Sequence, residues 1–245
     1  MNALGDLYHR AVAGPDYPPD ERDLADVRLF GLAFPARASV AVLATAALIV
    51  VDQLGWSIGA ELLAAPAGLD SVAVQRFLLF LVVPLVIVLI GFRDDPGRYG
   101  LRIGDWRAGL PLLIAGLAVM TPIIIGLAAL PQFQGYYGLD ATDPKPVGRV
   151  LAGNLAELVS AEFLLRGFLM FTLWRRIGPL ALVVQLVPFV LTHLGKPDIE
   201  LWSTFLGGSI FAWLNWRTGS ILWSALGHVY VLTLMLVAAG GATPR

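Results

Sequence analysis

Long apolar runs alternate with short polar turns along this chain, at roughly 36–56, 71–92, 108–130, 148–174, 178–194, 200–216 and 220–239. A helix needs about 20 mostly apolar residues to cross a bilayer. The fifth and sixth runs are shorter, which predicts tilted or broken helices. None of the runs shows the two-residue alternation of a strand, and backbone groups in lipid must pair within their own segment, so all seven are read as helices. The pattern predicts an all-α, polytopic transmembrane helix bundle of about seven spans. Residues 1–35 differ: they are polar, acidic and rich in Pro and Gly, with Asp16, Pro18, Pro19, Asp20, Glu21 and Asp23 close together. Within them Leu24, Val27, Phe30 and Phe34 fall at roughly helical spacing, which predicts a short interfacial helix over 20–34. The stretch has neither the basic start nor the apolar core of a secretory signal and is read as a cytoplasmic tail. Residues 36–245 are read as a single transmembrane domain.

Composition agrees. Hydrophobic residues make up 57% of the 245 and charged residues 14%, with a mean hydropathy of +0.74. Soluble domains carry roughly a quarter charged residues. A formal net charge of -1 leaves no basic surface for nucleic acid. The chain has no Cys, which excludes disulfides, thiolate metal sites and a Cys nucleophile. Arginines crowd one set of loops: Arg10, Arg22, Arg28 and Arg37 before the first run, Arg93, Arg98, Arg102 and Arg107 after the second, Arg175 and Arg176 after the fourth, Arg217 after the sixth. The opposite loops carry only Lys145, Arg149, Lys196 and Arg245. That asymmetry predicts a cytoplasmic N-terminus. The stretch 99–106 reads as a juxtamembrane loop on the same side, within reach of anionic lipid. Trp174, Trp202, Trp213, Trp216 and Trp223 read as an interfacial belt.

The halves differ in polarity. The first three runs are nearly all apolar and read as a scaffold, and the last four hold the polar side chains. An ionisable residue inside a membrane marks a functional-site candidate. The fourth run holds Asn154, Glu157, Glu162 and Arg166. Glu162 and Arg166 are four apart and share a helix face. Two of the three histidines, His193 and His228, fall in the fifth and seventh runs, and the third, His9, lies in the tail. A carboxylate can take a proton from water and an imidazole can steady an oxyanion, which together suffice for peptide hydrolysis. Two His and one Glu also make the protein ligand set of a catalytic zinc site, but no His-Glu-x-x-His helix is present.

The same residues carry a family resemblance. The stretch 161–167, Ala-Glu-Phe-Leu-Leu-Arg-Gly, resembles the first motif, Glu-Glu-x-x-x-Arg, of the CAAX-protease and bacteriocin-processing family of intramembrane glutamic endopeptidases, the type II CAAX prenyl endopeptidase-like proteins. Phe189-x-x-x-His193 is similar to the second motif, and His228 with the four residues after it resembles the third, His-x-x-x-Asn. Order and spacing agree over residues 148–239. The resemblance implies a membrane-embedded, metal-independent and cofactor-free peptide hydrolase acting on a membrane-associated protein or peptide, in a divergent bacterial member of the inner membrane. It assigns Glu162, His193 and His228 to catalysis, with Arg166 in support. Two positions depart: Ala161 stands where the family has its water-activating glutamate, and Leu232 where it has an oxyanion-binding Asn. Glu162 itself, tuned by Arg166, is the first candidate to activate water in its place, aided by Glu157, one turn before Ala161, or by Glu200, after the helix-breaking Gly195-Lys196-Pro197; a single motif glutamate with a Gly-Lys-Pro run also resembles some bacterial members. The alternatives are a catalytically silent relative that binds peptide as an immunity or regulatory protein, with Glu162–Arg166 a structural pair, and, more distantly, a transporter, which the lack of an internal repeat disfavours.

Overall fold

The computed structural model describes residues 13–55, 71–138, 145–240 and 242–243; His9, Arg10, Arg245 and most of the loop after the first apolar run lie outside them. Each of the seven apolar runs is helical: α2 (Ala36–Gln53), α3 (Ser71–Gly91), α4 (Trp106–Ala128), α6 over 147–177, α7 (Leu180–Leu191), α8 (Asp198–Thr218) and α9 (Leu222–Ala238). A short α5 (Pro131–Tyr137) follows α4. The protein is an all-α membrane bundle. Among the described residues α2, α3 and α4 are long and apolar enough to cross a bilayer by length and composition. Leu43, Ile90, Val119 and Leu206 stand open on the outside, an apolar surface of the kind soluble monomers avoid. The fifth run is short, as expected: α7 is interrupted at Gln185 and ends in a turn at Thr192. Its twelve residues rise only about 18 Å.

The predicted interfacial helix is corrected. A single turn, α1 (Glu21–Leu24), is closed by a capping box between Asp20 and Asp23, and the chain then forms a hairpin of β1 (Asp26–Leu29) and β2 (Leu32–Pro35). The reason is local. Phe30 and Gly31 both take positive φ, 53° and 82°, the twist that a two-residue hairpin turn needs. The apolar spacing that suggested a helix instead leaves Val27, Leu29, Phe30 and Leu32 exposed on the ribbon. A second, minimal pairing joins β3 (Lys145–Pro146) to β4 (Ala242–Thr243) in parallel.

α6 is the centre of the bundle, touching α2, α3, α7, α8 and α9. It runs as Val147–Glu162, a π-helical stretch Phe163–Met170, and Phe171–Ile177. Every side chain from Glu162 to Leu173 is buried, as expected of a helix apolar on all sides. Gly167 permits the tightest approach: a Cβ there would lie 2.7 Å from the Tyr99 carbonyl oxygen.

The basic loops converge at one end. Arg37 donates to Asp23 (2.7 Å) and Asp94 (3.0 Å), and Arg98 to Asp23 (2.7 Å) and Asp94 (2.6 Å). Arg175 donates to the Arg98 carbonyl, Arg102 to the Gly219 carbonyl (2.9 Å), and Arg217 to Asp105 (2.9 Å). The segment 99–106 is thereby anchored to the bundle end, with Tyr99 fully buried and Arg102, Ile103 and Trp106 exposed. Three of the tryptophans read as a belt also make packing contacts: the Trp174 and Trp216 rings lie 5.6 Å apart, tilted by 35°, and Trp223 is buried with its indole N–H on the Ile103 carbonyl.

Candidate active site

The polar residues of α6 through α9 meet around one cavity of about 420 Å³. α6 contributes Asn154, Glu157 and Ala161; the turn after α7 contributes Thr192 and His193; the following loop and α8 contribute Lys196 and Glu200; α9 contributes His228 and Leu232. Helical spacing explains the α6 wall, since 154, 157 and 161 lie three and four apart on one face.

Glu162, next in sequence to Ala161, points the other way. It has no exposed surface and does not border the cavity. Its Oε1 accepts from Arg166 and from His228 Nδ1 (2.9 Å), and its Oε2 accepts from the Ser224 hydroxyl (2.7 Å). Both oxygens are thus occupied, and the carboxylate fixes the His228 ring from behind the cavity wall. Arg166 is equally buried, with its guanidinium 4.1 Å from the centre of the Phe189 ring, within cation–π range, and 5.5 Å from that of Phe211. The two rings also flank His228, and Phe189 stacks edge-on against His193. One aromatic frame therefore sets both imidazoles. Gly208 lets α8 approach it, because a Cβ there would meet Phe189 and Leu186 at 2.6 Å.

The two histidines are held through the same nitrogen. His193 Nδ1 lies 2.8 Å from the Phe189 carbonyl, an acceptor only, so Nδ1 carries the proton and the neutral ring keeps its lone pair on Nε2. His228 Nδ1 faces the Glu162 carboxylate. In each ring Nε2 is the nitrogen left for a ligand.

The other two sequence candidates sit in ion pairs. Glu157 accepts from Arg76, which also holds Asp52 at 3.1 Å. Glu200 accepts from Lys196 (2.7 Å) and from the Tyr137 hydroxyl (2.6 Å). Burial, reinforced by the Glu200 carboxylate, pushes the Tyr137 phenol well above its ordinary range, so it remains a donor. Asp52, Arg76 and Tyr137 are additions to the site that sequence reading missed. They correct the division into scaffold and site halves, since α2 and α3 each place an ionisable side chain on the cavity wall. A lone charge near the end of an apolar run was the available signal. Ser224, four residues before His228, was a second. Among the described residues no group of three or more His, Cys, Asp or Glu converges as a metal site.

Residues 143–234 match the family model described as Type II CAAX prenyl endopeptidase Rce1-like, a span that contains Glu162, Arg166, His193 and His228. No curated protein and no solved structure matches the chain. The match supports an intramembrane protease kind of function in an integral membrane protein, with a peptide or protein at the membrane as substrate.

Proposed function

With an Rce1-like type II CAAX prenyl endopeptidase domain over residues 143–234 as the premise, we propose that the chain is an intramembrane endopeptidase that hydrolyses a peptide bond held between His193 and His228. The observation that carries the reading is the pair of imidazoles lining one cavity, each anchored through Nδ1. His193 Nε2 takes a proton from water as the water oxygen attacks the scissile carbonyl carbon. A proton on His228 Nε2, balanced by the Glu162 carboxylate at Nδ1, donates to the oxyanion. Collapse breaks the C–N bond, and the proton on His193 passes to the leaving amine. Glu162, the motif glutamate expected to activate water, is in this reading a positioning residue for His228, as a carboxylate behind a catalytic histidine is elsewhere. Arg166 holds that carboxylate, and Glu157 and Glu200 keep Arg76 and Lys196 in place around the cavity.

A second reading has a specific support. Ala161 and Leu232 both line the cavity where the family pattern has Glu and Asn. A relative without cleavage, binding peptide in the same cavity, fits those two positions. The test is purified protein in lipid nanodiscs, incubated with a library of membrane-embedded apolar peptides and read by mass spectrometry. New peptide ends that vanish in both His193→Ala and His228→Ala are expected. Cleavage that survives either substitution sinks the mechanism, and peptide capture without new ends selects the second reading.

A further inference from the structure

The helices border the cavity with the ends that lie away from the arginine network. α2 starts at Arg37, in the network, and reaches the cavity at Asp52. α3 reaches it at Arg76 and ends beside Asp94. α8 starts beside the cavity at Glu200 and ends at Arg217, bound to Asp105. On α6, Glu157 and Arg175 are 18 residues apart, about 27 Å at helical rise. That nearly equals a hydrocarbon core of about 30 Å. The arginine network and the charged rim of the cavity therefore lie at opposite ends of the membrane-crossing bundle.

The arginine face is the one that the excess of basic residues assigns to the cytoplasm. We infer that the cavity opens on the extracytoplasmic side and takes an apolar segment of a chain presented there, not the tail of a cytoplasmic protein; that this segment is a substrate rests on the endopeptidase reading. The lining fits such an occupant. Deep in the cavity Ile124, Leu158, Leu164, Leu165 and Leu232 face the void, and the charged groups of Arg76, Glu157, Lys196 and Glu200 surround them in pairs of opposite sign. An apolar cavity with a few polar groups at its edge holds an apolar stretch that has polar flanks.

The absence of Cys makes a direct test available in the full-length protein. Single cysteines are introduced at the cavity, Ser203→Cys, with Tyr136→Cys as a second position in case the first disturbs folding, and at the hairpin tip, Phe30→Cys; all three side chains are exposed. Intact cells are treated with a membrane-impermeant maleimide. The cavity cysteines are expected to label at once and Phe30→Cys only after permeabilisation. The reverse order, or equal labelling of both ends, overturns the inference. A peptide with an apolar core and charged ends, added outside, should then slow labelling at Ser203→Cys, whereas an all-polar peptide of the same length should not. Equal effects of the two peptides overturn the substrate class. Cleavage of the protecting peptide is scored separately, so protection without cleavage removes the endopeptidase reading and leaves the side and the occupant standing.

Discussion

At the loop end of the bundle, Asp23 and Asp94 are closed in by Arg37 and Arg98, Arg217 pairs with Asp105, and Arg102 and Arg175 cap carbonyls of neighbouring turns. At the other end Asp52, Glu157 and Glu200 are paired just as well, with Arg76 and Lys196, yet their side chains border a cavity of about 420 Å³. Charge pairing is common to both ends, and the void is what separates them. Where arginine forks meet carboxylates and backbone with no space left over, the network joins the tail, the 92–106 loop and three helix ends into one unit. Where the same chemistry surrounds a space with two ring nitrogens facing a ligand, it can act on something that enters. Between the two ends lies the Glu162–Arg166 pair, as buried as the network and directly behind the cavity wall.

The largest effect that separates the two ends is expected from His228→Ala. Loss of an oriented acid–base or oxyanion group costs about 10²–10⁴ in rate. The substitution also takes one donor from the fully buried Glu162, so stability in detergent should fall by only about 1–3 kcal/mol, the range for a buried acceptor left short of a partner. A stability loss in step with the activity loss would place His228 on the structural side of the comparison.

Glu162→Leu should fail on both counts. It leaves the Arg166 guanidinium buried without its carboxylate, at a cost of about 3–5 kcal/mol in stability. It also frees the His228 ring to turn. The double variant Glu162→Leu/Arg166→Met sharpens the point, because an apolar pair of similar volume often restores or exceeds the stability of a buried ion pair. Recovery of the melting temperature without recovery of cleavage is the expected result. Recovery of both would mean that Glu162 does nothing for His228.

Much of this contrast was legible in the sequence, and the unread part has definite causes. The apolar runs became helices within a few residues, because a bilayer-length run leaves the backbone few other ways to pair. The order of Glu162, Arg166, His193 and His228 along those runs located the site. The facing of adjacent residues was not legible: Ala161 and Glu162 lie about 100° apart around α6, and only packing decides which of them meets the void. Asp52 and Arg76 were passed over because each is a single charge at the margin of an apolar run; their meaning comes from Glu157, 81 residues beyond Arg76. The hairpin at 26–35 was read as a helix because apolar spacing outweighed Phe30-Gly31, whose positive φ values make the turn.

Arg37→Ala probes the loop end alone. Asp23 and Asp94 lose one donor but keep Arg98, so the expected loss is about 1–3 kcal/mol, the range for buried acceptors left short of a partner. The kcat of the protein that remains folded should equal that of the unaltered chain, since every helix reaches the cavity from its other end. A selective fall in kcat at unchanged melting temperature would break the comparison by coupling the arginine network to the cavity.

The smallest effect is expected from acid, and its sign follows from the loop-end carboxylates. For Asp94 burial alone would raise the pKa, but the Arg98 guanidinium, the Asp95 backbone N–H and the Tyr99 hydroxyl hold it below the ordinary 3.8. For Asp105 the Arg217 guanidinium is the main cause of a shift in the same direction. A carboxylate with a depressed folded-state pKa contributes stability in full above its unfolded value, and that stability is lost as pH falls through the folded value. The melting temperature in detergent should therefore be insensitive to these groups until the pH drops below about 3.8 and should fall beyond that point. Asp94→Asn should melt lower at neutral pH and show a shallower acid limb, because the group that titrates is gone. An unchanged acid limb in Asp94→Asn would assign the transition to other carboxylates and leave the arginine network with no measurable share of it.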